Sequence, residues 1–95
     1  MAKLKPIKNY RLTEHAREEM SRRQISPDDV VNVLTAPEQI GFVREGRNVY
    51  QSHIEVGKPT RKYLLRVFVD VDREPPEVVT VYRTSKIAKY WRIDT

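Results

Sequence analysis

The chain has no cysteine. That excludes a disulfide framework and any cysteine-ligated zinc site. It has only two histidines, His15 and His53. They are far apart and lack metal-ligand spacing, so no metal is expected. Glycine is scarce: Gly41, Gly46 and Gly57 are the only three. None belongs to a phosphate-cradling loop, which excludes P-loop and dinucleotide-type nucleotide binding, and no cofactor is expected. No apolar run approaches the ~20 residues of a membrane span. The N-terminal "MAKLKPIKNYR" is basic but lacks the apolar core of a signal peptide. The expectation is a soluble, cytoplasmic protein with no membrane partner.

What is present is charge. Charged residues make up 33% of the 95 residues, and the formal net charge is +5. Mean hydropathy is -0.66, so the chain supports one domain, residues 1–95, with one modest core. The excess is uneven. Residues 1–13 hold Lys3, Lys5, Lys8 and Arg11 and no acid, while residues 83–95 hold Arg83, Lys86, Lys89 and Arg92 against Asp94. The segment between them is slightly acidic. If the fold brings the ends together, including a basic arm over residues 1–11, they form one basic patch suited to RNA, DNA or an acidic protein segment. A solvated surface that keeps the protein soluble explains the same charge.

Two helices are predicted first. "LTEHAREEMSRRQ" has Thr13 as N-cap, Glu14 in the first turn, and Leu12, Ala16 and Met20 as a narrow apolar stripe. "ISPDDVVNVLTAP" has Ser26 as cap, Pro27 at the first helical position, Asp29 as the capping-box acid, and Pro37 as the stop. Alternation with period two then predicts four strands: "QIGFVR", "NVYQSHIE", "RKYLLRVFVD" and "EVVTVYR". Glu45-Gly46-Arg47 joins the first two as a short hairpin. "SKIAKYWR" closes the chain as a short helix with Ile87 and Trp91 packing down. The fold class is therefore α+β: two N-terminal helices packed on a four-stranded antiparallel sheet, with a short C-terminal helix.

Period two also sorts the faces. Tyr63, Leu65, Val67 and Val69 share one face of the third strand, with Leu64, Arg66 and Phe68 on the other. In the fourth strand Val79 and Val81 share the core face, and Val78, Thr80 and Tyr82 the opposite one. Arg66 between a leucine and a phenylalanine needs a partner. Two readings fit. It binds phosphate, or it lies over an open sheet face paired to Glu55 or Asp70. His15 likewise reads as a proton shuttle or as a structural histidine bonded to a carboxylate or backbone. Tyr82 stands at the end of the last strand, and the final helix, beginning near Ser85, carries Lys86, Lys89 and Tyr90 on one side. A helix N-terminus there would favour an anion.

"LTEHAREEMSRRQIS", "EGRNVYQ" and "VVTVYRTSKIAKYW" together resemble the uncharacterised-domain (DUF) family 4258 over nearly the whole chain. The element order also looks like the BrnT-like and RelE-like toxin folds, at the level of architecture. Toxins of those groups are small basic ribonucleases that cut mRNA without a metal and are held inactive by an antitoxin encoded beside them. The resemblance thus implies a metal-independent endoribonuclease. In that reading His15 is the base, Arg66 and Lys86 neutralise the phosphate, and Tyr82 donates a hydrogen bond or acts as the acid. Arg83 and Lys89 hold flanking phosphates, and Tyr50 or Tyr90 stacks on a base. The alternative is a non-catalytic module of the same fold that binds nucleic acid or an acidic antitoxin-like partner. A third reading is a degenerate toxin homologue that only binds its antitoxin.

Overall fold

The computed structural model describes residues 6–92. Lys3, Lys5 and Asp94, counted above in the charge of the two ends, lie outside the described residues. The chain runs β1 (Arg11–Leu12), α1 (Glu14–Arg23), α2 (Pro27–Thr35), β2 (Gln39–Arg44), β3 (Arg47–Val56), β4 (Arg61–Asp70), β5 (Glu77–Thr84) and α3 (Ile87–Tyr90). The class is α+β, but the sheet is five-stranded and mixed, in the order β1-β5-β4-β3-β2. β2 through β5 pair antiparallel. The additional strand is β1, which pairs parallel with β5 through Arg11 opposite Glu77 and Leu12 opposite Val78. Two residues are too few to show a period, so the expected helix took in Leu12, which instead belongs to this strand.

The helix ends follow the sequence signals. Thr13 Oγ1 accepts from the Ala16 amide at 3.1 Å, and Gln24 ends α1 in the left-handed region at φ 57°. Ser26 Oγ accepts from the Asp28 amide at 3.0 Å, one position short of the capping-box pattern. At the β2–β3 hairpin only Glu45 and Gly46 lie between the strands, and Gly46 has φ 82°. A two-residue hairpin turn requires that positive φ.

The core lies between the helices and one face of the sheet. Ala16, Met20, Ile25, Val30, Val33 and Leu34 meet Tyr50, Leu65, Val67, Val69, Val78 and Val81. The β4 faces are as the alternation predicts. β5 departs from it. Phe68 pairs with Thr80 but Val69 pairs with Val78, so Val79 is an extra residue, a β-bulge. The bulge resets the alternation, and Val78 rather than Val79 enters the core. α3 is a single turn of four residues with no buried side chain. Ile87 and Trp91 are half-buried rather than core.

Among the described residues the N-terminal segment and Arg92 lie on opposite faces of the sheet. Ile7 donates its amide to Leu34 O at 2.8 Å and packs with Tyr10 against the helix-side core. Arg92 lies on the opposite face of the sheet, its side chain close over Gly41. Residues 7–11 of the expected arm are thus packed in part against the domain.

At the hairpin end of the sheet, Arg47 grips Asp70 with two hydrogen bonds, Nε to Oδ1 at 2.6 Å and one guanidinium nitrogen to Oδ2 at 3.2 Å. Asp70 is therefore not the partner of Arg66. The Arg47 hydrogen bonds hold the Asp70 carboxyl below its ordinary value, against its own burial. A depressed carboxylate adds stability above its unfolded pKa of about 3.9 and loses it as pH falls through the lower folded value. Asp70→Asn is expected to cost about 1–2 kcal/mol at neutral pH. It should also flatten the acid limb of a pH series of urea melts.

A candidate anion site on the open sheet face

The face of the sheet away from α1 and α2 is built in rows that follow from the strand register. Gln39 pairs with Gln51, Gln51 with Arg66, and Arg66 with Tyr82. This row crosses four strands. A neighbouring row runs Gly41, Val49, Phe68 and Thr80, and on the other side lie His53, Leu64 and Thr84. Val49 and Leu64 are buried on this side without joining the helix-side cluster. α3 and the residues after it lie over part of this face.

Arg66 is half-buried at the centre of the row. Its Nε donates to Gln51 Oε1 at 2.9 Å and a terminal nitrogen donates to the Tyr82 hydroxyl at 2.7 Å. Three aromatic rings surround the guanidinium. Its carbon is 4.4 Å from the centre of Tyr90, 5.3 Å from Phe68 and 5.8 Å from Tyr82. Among the described residues it makes no ion pair. Both of these partners are neutral, so no carboxylate among the described residues offsets its charge. Stacking on rings contributes roughly 0.5–2 kcal/mol per good contact, which helps hold a cation here without a carboxylate.

The position of Arg66 is fixed from below by Gln51, whose side chain is only 1% exposed. The Gln51 amide nitrogen donates to Gln39 Oε1 at 2.8 Å and to the Tyr90 carbonyl at 3.2 Å. Gln39 in turn accepts from the Arg92 amide at 3.0 Å and donates to the Arg92 carbonyl at 2.6 Å. Two glutamines thereby tie the C-terminal segment to the sheet and place the Tyr90 ring over Arg66. Tyr82 uses its oxygen to accept from Arg66, so its own O–H remains a donor. Phe68, Tyr82 and Tyr90 form a chain of rings at centroid separations of 6.0 and 6.3 Å.

Of the residues singled out from sequence, Arg66, Tyr82 and Tyr90 come together, with Lys89 Nζ 5.4 Å from the Tyr90 ring centre. Lys86 is exposed just past β5, its amide donating to Thr84 Oγ1 at 3.0 Å. α3 starts two residues later than expected and is too short to act as a helix-terminus anion site. His15 is exposed on α1, on the helix side of the sheet, with Glu19 3.9 Å away. The structure does not bring it to Arg66. Arg83 also points to the helix side, donating to Gln24 O at 3.3 Å with Tyr63 beneath it. Tyr50 is in the core at 4% exposure, and burial pushes its hydroxyl pKa up. It offers no ring for a base to stack on, which corrects that expectation.

Gln51 and Gln39 carried no chemical signal in the sequence. The only hint was a polar residue in step with Val49 and His53 on an alternating strand. Among the described residues no cluster of three His, Asp or Glu side chains is placed to hold a metal ion. No helix among them is long and apolar enough to cross a membrane.

The profile of the family described as Domain of unknown function (DUF4258) matches residues 12–83. The chain belongs to this family. No curated protein and no solved structure matches it. The DUF4258 region runs from the end of β1 to Arg83 near the end of β5, so it contains Gln51, Arg66 and Tyr82. Tyr90, which covers Arg66, lies beyond it.

Proposed function

We propose that the protein is a toxin-like, metal-independent endoribonuclease that holds an RNA phosphate on the open sheet face. The observation that carries this reading is Arg66: a half-buried guanidinium with neutral partners, ringed by aromatics. A phosphate oxygen can take the remaining guanidinium protons and the Tyr82 hydroxyl together. Lys89, at the Tyr90 ring, supplies further positive charge nearby, Lys86 is exposed just past β5, and Tyr90 offers a stacking surface. Aromatic rings beside a guanidinium suit single-stranded RNA better than a duplex, whose bases are already stacked. With this reading goes an acidic antitoxin-like partner encoded nearby.

The test is incubation of the purified full chain with a 5′-labelled single-stranded RNA in EDTA. Expected are discrete products ending in 2′,3′-cyclic phosphate, and an affinity that falls steeply between 50 and 200 mM salt. Intact RNA with retained salt-sensitive binding would overturn the catalytic part. That outcome is the second reading, a non-catalytic RNA-binding module. It is favoured by one observation: His15, the base expected from sequence, stands on the far side of the sheet from Arg66.

A further inference from the structure

We propose that His53, positioned by Glu38, is the general base of the open face. This deepens the endoribonuclease reading and rests on it. His53 is on the same sheet face as Arg66. It pairs with Leu64, and Gln51 two residues before it pairs with Arg66. His53 and Arg66 are thus diagonal neighbours, a relation that spans about 7–8 Å between backbones and falls within reach of long side chains. The imidazole is not buried: its side chain is 31% exposed.

Its orientation is built, not incidental. Glu38 Oε1 accepts from the His53 backbone amide at 2.6 Å and meets His53 Nδ1 at 2.9 Å. Glu38 itself stands just before β2, its amide donating to Ser52 Oγ at 3.0 Å and to Gln51 O at 3.1 Å. Burial opposes the Glu38 charge, but the two His53 hydrogen bonds outweigh it and hold the carboxyl below its usual range. An ionised carboxylate only accepts, so Nδ1 carries the hydrogen, and in the neutral ring the lone pair is on Nε2. The Trp91 ring lies 4.4 Å from the imidazole at 42°, covering one side of it. A histidine held by a carboxylate through one nitrogen, with the other making no hydrogen bond among the described residues, is the arrangement of an oriented base.

The row geometry gives the rest of the step. His53 is on β3, Arg66 on β4 and Tyr82 on β5, so base and acid flank the cation from opposite sides. With the phosphate on Arg66, His53 Nε2 takes the proton of the RNA 2′-hydroxyl. The 2′-oxygen bonds to phosphorus and the bond from phosphorus to the 5′-oxygen breaks. The 5′-oxygen leaves with a proton from the Tyr82 hydroxyl. The products are a 2′,3′-cyclic phosphate and a 5′-hydroxyl, with one proton moved from the 2′-oxygen to the 5′-oxygen overall.

The experiment measures single-turnover cleavage and, separately, binding of a 2′-O-methyl oligonucleotide that cannot be cleaved. It uses the parent, His53→Ala, His53→Gln and Glu38→Gln, each checked by thermal melting. General-base loss predicts a fall of ~100-fold or more in the cleavage rate for both His53 variants. Affinity for the uncleavable strand should stay within about twofold, and Glu38→Gln should fall by roughly tenfold. Added imidazole should restore part of the His53→Ala rate, which a purely structural role would not allow. If the parent cleaves and both His53 variants cleave as fast, this assignment is overturned while the endoribonuclease reading stands. An equal loss of binding and cleavage also overturns it. A parent that binds but never cleaves overturns both.

Discussion

Arg66→Ala is expected to reduce RNA cleavage by at least ~100-fold, the scale on which removing one donor aimed at developing charge acts. It should also weaken binding of an uncleavable strand and lower the salt slope by about one unit, the share of a single phosphate contact. Arg66→Lys is the sharper version. It keeps the charge, but an ammonium cannot bond Gln51 Oε1 and the Tyr82 hydroxyl at once in the planar geometry seen here. Most of the cleavage should therefore be lost while the salt slope is retained. Wild-type cleavage by both variants would place the phosphate elsewhere.

Gln51 carries the second large effect, and its two replacements separate structure from charge. Gln51→Ala removes the acceptor for Arg66 and the donor to Gln39 and Tyr90 from a position that is 1% exposed. Buried polar groups left without partners cost ~1–3 kcal/mol each. A loss of about 2–4 kcal/mol in chemical denaturation is expected, with release of the Tyr90 segment reported by tyrosine and tryptophan fluorescence. Gln51→Glu gives Arg66 the carboxylate it lacks. Stability should suffer less at neutral pH, because one new ion pair partly offsets the lost amide donations to Gln39 Oε1 and Tyr90 O. RNA affinity should nevertheless fall by tenfold or more, because the charge is now satisfied internally. A glutamate variant that binds RNA like the parent would show that free charge on Arg66 is not what attracts the strand.

Much of the fold was legible because it depends on short-range chemistry. Thr13 and Ser26 set the helix starts, and the Glu45-Gly46 turn fixed the β2–β3 hairpin. The alternation in β4 put Arg66 and Phe68 opposite Leu65, Val67 and Val69, and the structure agrees. Three things were not legible. β1 is two residues long and owes its place to β5, a partner some 65 positions away in the chain. The Val79 bulge looks like ordinary alternation until its partner strand is known. The site depends on cross-strand register: nothing local says that Gln51 stands beneath Arg66, or that Glu38 reaches His53. Which helix face His15 occupies was readable, but which side of the sheet that helix covers was not.

In the proposed function the sheet face opposite α1 and α2 holds a nucleic-acid phosphate on Arg66. The most direct test is an NMR titration of the full chain with an uncleavable 2′-O-methyl oligonucleotide, following the Arg66 Nε–H signal and the Tyr82 and Tyr90 ring signals. The expected result is that these move together along one saturable, salt-sensitive curve, while the α1 amides around His15 and Arg17 stay fixed. Shifts centred on α1, with the Arg66 signal unmoved at saturation, would contradict it.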